Sequence, residues 1–309
     1  MIHIIVDYSF LYYKYKFALD SGRMSRLSAE ININGQMVER DVSQMYYSLR
    51  EIESFRKAVE EHGEQPIISI CFDMPSERKE EEGEASSKYK SNRKHVLKDE
   101  DFENIAIVQS ILDTAGYNTY RIEGYEADDI IHHLCKTYTD KFDSVLIVTP
   151  DADLMVNITD KIRVQRYKST KGYSVVGIDN FSSYLEAEMK CKMPYNALTL
   201  YKITVGDKSD CIDGIKGFGP KAFNGLVDHL TNMGINWPVC GAADNVELIL
   251  NRLEQSGYFP ADKLAQARTS LRLVRPRPFH PDIVEPCSIS SAEKRKEAYL
   301  PYNMKSLAQ

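Results

Sequence analysis

Three apolar, largely β-branched runs that each end at an aspartate constrain the fold of this chain more than any other feature. The runs cover residues 3–7, 67–73 and 145–151. Short continuous runs rich in Val and Ile are typical of strands buried on both faces of a parallel sheet. Ligands of such sheets bind beyond the carboxyl ends of the strands, where Asp7, Asp73 and Asp151 would repel one another unless cations separate them. The pattern therefore predicts a metal site at that edge.

The remaining periodicity indicates alternating strands and helices followed by a helical region. Strands are predicted at 2–7, 67–73, 117–122 and 145–149, and helices at 41–62, 101–115 and 126–138, with a helix or loop at 11–19. This alternation predicts an α/β fold with a mostly parallel sheet and helices on both faces. We expect one domain over residues 1–180 and a second, helical region over 181–309, whose last part (275–309) runs over the surface.

The composition indicates a soluble globular protein, with 43% hydrophobic and 27% charged residues. No apolar run is long enough to cross a bilayer, and we expect no signal segment and a cytoplasmic location. The six cysteines are scattered without a C-x-x-C pair, which favours reduced thiols over disulfides or a zinc site. The adjacent His132 and His133 lack partners at ligand spacing, so we do not predict a metal site there.

Positive charge is concentrated in three segments although the formal net charge is −6. Residues 86–98, 161–171 and 263–277 each carry five Lys or Arg and no acid. A single basic segment is usually a solvated face. Three of them in a chain that also carries an acidic, metal-type pattern favour a polyanionic partner.

Further carboxylates accompany the three strand-end aspartates. Asp153 follows Asp151 by two residues, so both side chains point to the same side and can hold one ion together. Glu126, Asp128 and Asp129 stand at the start of a predicted helix. Acids at that position also stabilise the helix dipole, so simple helix capping is the alternative interpretation.

A loop at residues 206–210 contributes two more acids, Asp207 and Asp210. Oxygen ligands without His or Cys favour Mg²⁺ or Mn²⁺ over Zn²⁺. Because these carboxylates exceed the needs of one ion, we expect two or more ions. Two ions about 4 Å apart stabilise both the attacking water and the leaving oxygen in phosphodiester hydrolysis.

Residues 214–221 (GIKGFGPK) form a glycine-rich turn before a predicted helix. Gly217 and Gly219 allow close approach of a ligand, and Pro220 suits the first helical turn. With Lys221, the free N–H groups of such a helix start bind phosphate, which predicts a grip on a nucleic-acid backbone. A plain linker between two helices is the alternative.

Residues 75–100 are highly charged and poor in apolar side chains, which predicts an excursion from the globular body. Tyr89, Lys90, Arg93 and Lys94 interleave an aromatic ring with cations in this segment. Such a mixture suits single-stranded nucleic acid, because bases stack on the ring and phosphates pair with the cations.

Seven short motifs in order make the chain resemble the superfamily of flap endonucleases and 5′ nucleases. The motifs are IIVDYS, FD, YKSNR, EGYEADD, TPDAD, GDKSD and GIKGFGPK, spread over residues 4–221. The chain is most similar to the bacterial and bacteriophage 5′–3′ exonucleases, a group that includes phage proteins called ribonuclease H. The resemblance implies a PIN-like nuclease domain, a helical arch around residues 75–100 and a helix–three-turn–helix DNA-binding region.

The resemblance also implies roles for individual acids. It makes Asp7, Asp73 and Asp128 ligands of a first metal, with Glu126 nearby. Ligands of a second metal, direct or through water, would be Asp151, Asp153, Asp207 and Asp210. Asp129 matches a further acid of the bacterial proteins. Catalytic roles fall to Asp7, Asp73, Asp128 and Asp151 and to the arch cations Lys90 and Arg93, which would contact the scissile phosphate.

In the same way, Gly217, Gly219 and Lys221 match a DNA-clamping hairpin that also binds a monovalent cation such as K⁺ through backbone carbonyls. The expected partners are DNA with a 5′ single strand, flap or end, an RNA–DNA hybrid, and replication proteins. We expect a monomeric, stand-alone nuclease of a bacterial or infected host cell, since no polymerase domain is present in the sequence. As a stand-alone nuclease similar to the phage members of the family, it is expected to be a bacteriophage protein.

Two features depart from the family pattern. Four glutamates at residues 80–84 would repel a phosphate backbone within the predicted arch. After residue 240 no family motif is present, and four of the arginines there either touch duplex DNA or form a solvated face. They are Arg268, Arg272, Arg275 and Arg277.

The sequence thus predicts a Mg²⁺-dependent, structure-specific 5′ nuclease that uses water as the nucleophile. Three alternatives remain. A mainly exonucleolytic enzyme would use the same acids and clamp on duplex ends. A non-catalytic DNA-binding scaffold of the same fold would not need all nine acids. A phosphatase or PIN-type ribonuclease would not need the glycine hairpin.

Overall fold

The computed structural model describes residues 1–33, 36–75, 97–237 and 245–308. Eight strands lie in these ranges: β1 (Ile2–Asp7), β2 (Ser28–Ile33), β3 (Gln36–Asp41), β4 (Ile67–Cys71), β5 (Asn118–Tyr120), β6 (Ser144–Thr149), β7 (Ile162–Lys168) and β8 (Gly172–Val176). Ten α-helices accompany them: α1 (Tyr8–Asp20), α2 (Ser43–Glu60), α3 (Asp99–Thr114), α4 (Ala127–Tyr138), α5 (Phe181–Met189), α6 (Leu198–Val205), α7 (Pro220–Asn232), α8 (Val246–Gln255), α9 (Ala261–Val274) and α10 (Ala292–Tyr299).

Six strands form one sheet in the order β5-β4-β1-β6-β7-β8, and all neighbouring pairs except β7 and β8 are parallel. The three strands predicted from the apolar runs are therefore direct neighbours, with β1 in the centre. In register, Asp7 pairs with Cys71 of β4, and Val6 pairs with Val148 of β6. The predicted mostly parallel α/β sheet is confirmed, and its carboxyl ends bring the strand-end acids to one edge.

The sheet has an apolar core on each face, as expected for strands without polar alternation. In β1, Ile4 and Val6 pack on one face with α1, α2, α3 and α10. Ile5 points to the opposite face, which is covered by α4 to α9. Helices therefore lie on both faces, as predicted. None of the described helices is both long and apolar enough to cross a bilayer.

Two antiparallel hairpins were not predicted. The strands β2 and β3 pair with each other, and β7 and β8 extend the main sheet at its edge. The β7 segment lies in a basic run that we interpreted only through its charge. Its buried Ile162 and Val164 alternate with the exposed Arg163, which is the period-two signal of a strand.

The C-terminal segment does not simply run over the surface, contrary to the prediction. Ala298, Tyr299 and Met304 are buried in the core on the α2–α3 face. The hydroxyl of Tyr299 donates to Glu53 Oε1 at 2.6 Å, and Tyr117 donates to the same oxygen at 2.6 Å. Glu53 is buried and would be costly without such donors, so the network ties α10 to α2.

We predict that Tyr299→Phe destabilises the protein by about 1.5–3 kcal/mol, because a hydrogen bond to a buried carboxylate is lost without loss of ring packing. Tyr302→Phe, in the same segment, is the matched control. The measurement is the free energy of unfolding by urea titration. Equal losses for the two variants would contradict the role of the Glu53 network.

Candidate metal centre

Asp7 is the last residue of β1 and the N-cap of α1. Its Oδ1 accepts a hydrogen bond from the backbone N–H of Phe10 at 3.3 Å, and its Oδ2 accepts one from Thr149 Oγ1 at 3.1 Å. The cap fixes Asp7 where the strand becomes a helix, and Thr149 ties it to the end of β6. Burial, followed by the charge of Asp73, raises the pKa of Asp7 to about 7.

Asp73 lies two residues after β4 and is exposed. Its Oδ1 accepts a hydrogen bond from the N–H of Ala127 at 2.8 Å, at the start of α4. Asp128 lies in the first turn of the same helix. Asp7, Asp73, Asp128 and Asp151 all line one groove beside α1. The structure therefore brings together the acids assigned to the first metal, although their role as ligands stays a prediction.

Asp151 and Asp153 follow β6 in a tight turn. The N–H of Asp151 donates to Thr149 Oγ1 at 3.1 Å, and the N–H of Asp153 donates to Asp151 Oδ1 at 2.8 Å. Asp153 joins Asp207 and Asp210 in a cluster whose carboxylate oxygens lie within 4.8 Å of one another. The Asp153 cluster lines a second groove. Asp151 lines both this second groove and the groove of Asp7, so it lies between the two acidic groups.

The loop that carries Asp207 and Asp210 is held by its backbone. Asp207 and Ile212 exchange two backbone hydrogen bonds of 2.9 and 2.8 Å. Gly206 has φ +97°, and a Cβ on Gly214 would lie 2.3 Å from the nitrogen of Gly206. Only glycine fits such a close approach of two backbones. From α9, Gln266 Nε2 donates to the carbonyl oxygen of Gly214 at 2.8 Å and braces the loop.

Sequence reasoning missed Lys202, which lies in the middle of this cluster. Its ammonium pairs with the carboxylates of Asp153 and Asp207, and the residue is only 6% exposed. Burial lowers the pKa of Lys202, but the nearby charges of Asp153 and Asp207 outweigh burial, so the pKa lies above its ordinary value. A usable signal existed, because Lys202 is the one charged residue of α6 (LTLYKITV). The cluster thus already attracts a cation from the protein itself.

The acids Glu126 and Asp129 at the start of α4 differ from each other in burial and in position. Glu126 is the N-cap residue, and Asp129 is buried. The Oδ1 of Asp129 accepts a hydrogen bond from the backbone N–H of Arg277 at 2.9 Å. This oxygen therefore anchors the C-terminal segment beside the helix. The metal-ligand roles predicted for Glu126 and Asp129 remain untested.

Of the arginines proposed above to touch DNA, Arg268 and Arg277 make side-chain hydrogen bonds within the protein. Arg268 donates to Glu247 at 2.7 Å and to Glu254 at 2.8 Å, and so joins α8 to α9. The guanidinium of Arg277 donates to the carbonyl oxygen of Gly124 at 2.6 Å. These contacts favour a structural role for Arg268 and Arg277 over contact with DNA.

The glycine-rich turn precedes a helix as predicted. α7 begins at Pro220, Gly219 is its N-cap residue and Gly217 has φ +78°. Lys221 is exposed in the first turn. The local geometry suits phosphate binding, while the helix–three-turn–helix assignment and the contact with DNA stay predictions.

The predicted arch residues Tyr89, Lys90, Arg93 and Lys94 lie outside the described residues, so their roles are not tested.

The two adjacent histidines, His132 and His133, contact other residues of the protein. The ring of His133 stacks on Phe279 with centroids 4.2 Å apart. His132 Nδ1 lies 2.6 Å from Asn157 Oδ1. Both histidines thus have structural partners.

The described carboxylates suit a hard divalent cation because they offer oxygen ligands at one sheet edge. Two of them have raised pKa values in the metal-free protein. Burial, followed by the charge of Asp151, raises the pKa of Asp153 to about 7, although Lys202 opposes this shift. The pKa of Asp7 is likewise raised to about 7, by burial and then by the charge of Asp73. Bound cations would remove the part of each rise that comes from repulsion between carboxylates.

Comparison with known proteins agrees with this architecture. The family model of the 5′-3′ exonuclease N-terminal resolvase-like domain matches residues 3–186. The chain therefore belongs to the 5′-3′ exonuclease family.

Individual relatives match this chain at low sequence identity. The 5′-3′ exonuclease of Aquifex aeolicus is 29% identical over 209 residues, which cover 67% of this chain and 64% of that protein. DNA polymerase I of Thermus aquaticus is 31% identical over 177 residues, which cover 57% of this chain and 19% of the polymerase. The matched part is thus less than two thirds of either relative.

Solved structures share the fold. Bacteriophage T5 5′-exonuclease with bound zinc has a TM-score of 0.58 and 16% identity, with full coverage of both chains. The T5 flap endonuclease in a complex with DNA and metal ions has a TM-score of 0.60 and 15% identity over 100% of this chain and 95% of that one. The catalytic core of Rad2 with DNA substrate has a TM-score of 0.54 and 14% identity, covering 99% and 90%.

We predict that binding of Mg²⁺ at pH 7 releases protons, on the order of one per chain, because the pKa values of Asp7 and Asp153 are raised to about 7 and both side chains must ionise to bind. At pH 8.5 both are already ionised, so the release falls towards zero and apparent affinity rises.

Calorimetric titration in two buffers of different ionisation enthalpy measures the released protons. The titration at pH 8.5 is the internal control. Identical enthalpies in both buffers at pH 7 would contradict the raised pKa values of Asp7 and Asp153.

Proposed function

We propose that this protein is a divalent-metal-dependent 5′ nuclease that hydrolyses phosphodiesters of DNA near a 5′ end, flap or junction. The observation that carries the proposal is the meeting of Asp7, Asp73, Asp128 and Asp151 with the cluster of Asp153, Asp207 and Asp210 at one sheet edge. Membership of the 5′-3′ exonuclease family supports the same activity.

Asp7, Asp73 and Asp128 would hold one Mg²⁺ or Mn²⁺ ion, and the Asp153 cluster would hold a second. When bound, two such ions supply an activated water and neutralise charge on the leaving oxygen. Asp151 lies between the groups and is the residue suited to serve both. Lys202 neutralises part of the second cluster in the absence of metal, and its charge outweighs burial to lower the pKa of Asp207.

The groove beside the first group suits a nucleic-acid strand. Its volume is about 620 Å³, and its lining includes Phe10, Tyr13 and Tyr167 together with Lys14 and Arg23. Aromatic rings offer stacking surfaces for bases, while cations attract phosphates. The same groove is lined by Asp7, Asp73, Asp128 and Asp151, so a strand lying in it would pass the metal centre.

The groove of the Asp153 cluster shares Pro150 and Asp151 with the first groove and extends to Gly219 and Pro220. The start of α7 would bind the backbone of the duplex, with K⁺ held by carbonyls of the glycine-rich turn. Removal of RNA primers from an RNA–DNA hybrid, association with replication proteins and action as a monomer belong to the same proposal.

We predict that Asp151→Asn lowers Mg²⁺-dependent cleavage of a 5′-labelled flap duplex more than about a hundredfold, exceeding the usual effect of changing an outer-shell partner. The amide keeps the size of the side chain but removes its charge. Asp140→Asn is the matched control, because Asp140 is exposed at the opposite end of the sheet, before β6 begins.

Release of short labelled products by the wild type and Asp140→Asn, but not by Asp151→Asn, supports the proposal. Tight binding of the flap without cleavage by any of the three proteins would favour a DNA-binding scaffold instead. Equal cleavage by all three would show that Asp151 is not part of the site. A blunt duplex in the same assay separates flap cleavage from duplex-end exonuclease activity.

A further inference from the structure

Arg166 is a buried cation beside the metal centre that the family motifs do not include. It lies on β7, pairs in register with Thr149 of β6 and is 6% exposed. It occupies an inward position of a strand whose other inward residues, Ile162 and Val164, are apolar. A guanidinium at such a position is costly unless its donors are all used.

The partners of Arg166 hold the turn that begins at the end of β6. Its Nε and Nη2 both donate to the carbonyl oxygen of Pro150, at 3.0 and 2.8 Å. Its Nη1 donates to Glu188 of α5 at 2.6 Å, and the ring of Tyr184 lies 5.7 Å away. The planar fork of arginine suits this arrangement, in which two donors meet one carbonyl while a third is fixed by a carboxylate.

The Pro150 carbonyl immediately precedes Asp151. Thr149 holds the N–H of Asp151 from one side, and Arg166 holds the preceding carbonyl from the other. The N–H of Asp153 in turn donates to the Asp151 side chain. Through the Pro150 carbonyl, Arg166 is therefore connected to Asp151 and Asp153, the two acids of the TPDAD turn.

Arg166 and Glu188 also line the groove that contains Asp151, Asp153 and Lys202. We propose that Arg166 is a positioning residue of the metal centre, which fixes the Pro150 carbonyl so that Asp151 and Asp153 face the ions before DNA arrives. The proposal rests on the proposed nuclease function, because that function gives the metal centre its role. What is tested directly is whether Arg166 holds the metal ligands in place for metal binding. The competing role is direct contact of Arg166 with a phosphate of the substrate.

The test compares the wild type with Arg166→Gln, Arg166→Lys and the control Arg163→Gln. Arg163 is exposed three residues earlier on β7, so its side chain points to the other face of the sheet. Three quantities are measured for each protein: Mn²⁺ affinity from the free-ion electron paramagnetic resonance signal, flap-DNA affinity in EDTA by fluorescence anisotropy, and cleavage against Mg²⁺ concentration.

We expect Arg166→Gln to weaken Mn²⁺ binding about tenfold, the low end of the range for residues that orient metal ligands. DNA affinity in EDTA should stay within about twofold, because the contact is not with phosphate. Arg166→Lys keeps the charge but not the fork, so it should weaken Mn²⁺ binding by a smaller factor. Arg163→Gln should match the wild type in Mn²⁺ affinity.

Unchanged Mn²⁺ affinity in Arg166→Gln would overturn the proposal. So would a loss of DNA affinity in EDTA as large as the loss of cleavage, because it would identify a phosphate contact. If Arg166→Gln does not fold, Arg166→Lys decides, and wild-type Mn²⁺ affinity in that variant overturns the proposal. Failure of the wild type to cleave DNA would overturn the nuclease function alone, since the Mn²⁺ measurement is independent of cleavage.

Discussion

The mutual repulsion of carboxylates at the ends of neighbouring parallel strands is the constraint on which the site depends. β1 lies between β4 and β6, so Asp7 cannot move away from the acids that follow those strands without breaking the sheet. The rise in the pKa of Asp7 to about 7, from burial and then from Asp73, expresses the cost of this arrangement. A protein retains such a cost where a bound cation removes it.

The parts of the fold around the centre each restrain one acid. Thr149 links Asp7 and Asp151 across β1 and β6, and the start of α4 holds Asp73 through Ala127. Gln266 of α9 braces the loop of the Asp153 cluster through Gly214. The helical region after residue 180 therefore completes the site, because loops from both halves of the chain supply its carboxylates.

Much of this arrangement could be predicted because its signals are local. The β-branched runs marked three strands, and Pro220 after glycine marked the start of α7. The β7–β8 hairpin was not predicted because the β7 segment is rich in basic residues. The alternation of the apolar Ile162 and Val164 with polar residues was therefore not interpreted as a strand. Lys202 stands out in the sequence as the one charged residue of α6, but the partners of Lys202 and Arg166 could not be predicted. Each is placed by partners distant in sequence, such as Asp153 for Lys202 and Glu188 for Arg166, and these pairings follow from tertiary packing.

Anomalous diffraction from crystals soaked in Mn²⁺ tests whether the acidic edge binds two ions. Binding of two ions predicts one peak among Asp7, Asp73 and Asp128 and a second at Asp153, Asp207 and Asp210, with Asp151 between them and Lys202 displaced from at least one carboxylate. Crystals that stay free of Mn²⁺ at both positions, with the Lys202 pairs intact, would contradict it. The acidic edge would then be stabilised by the protein's own cations and not by metal.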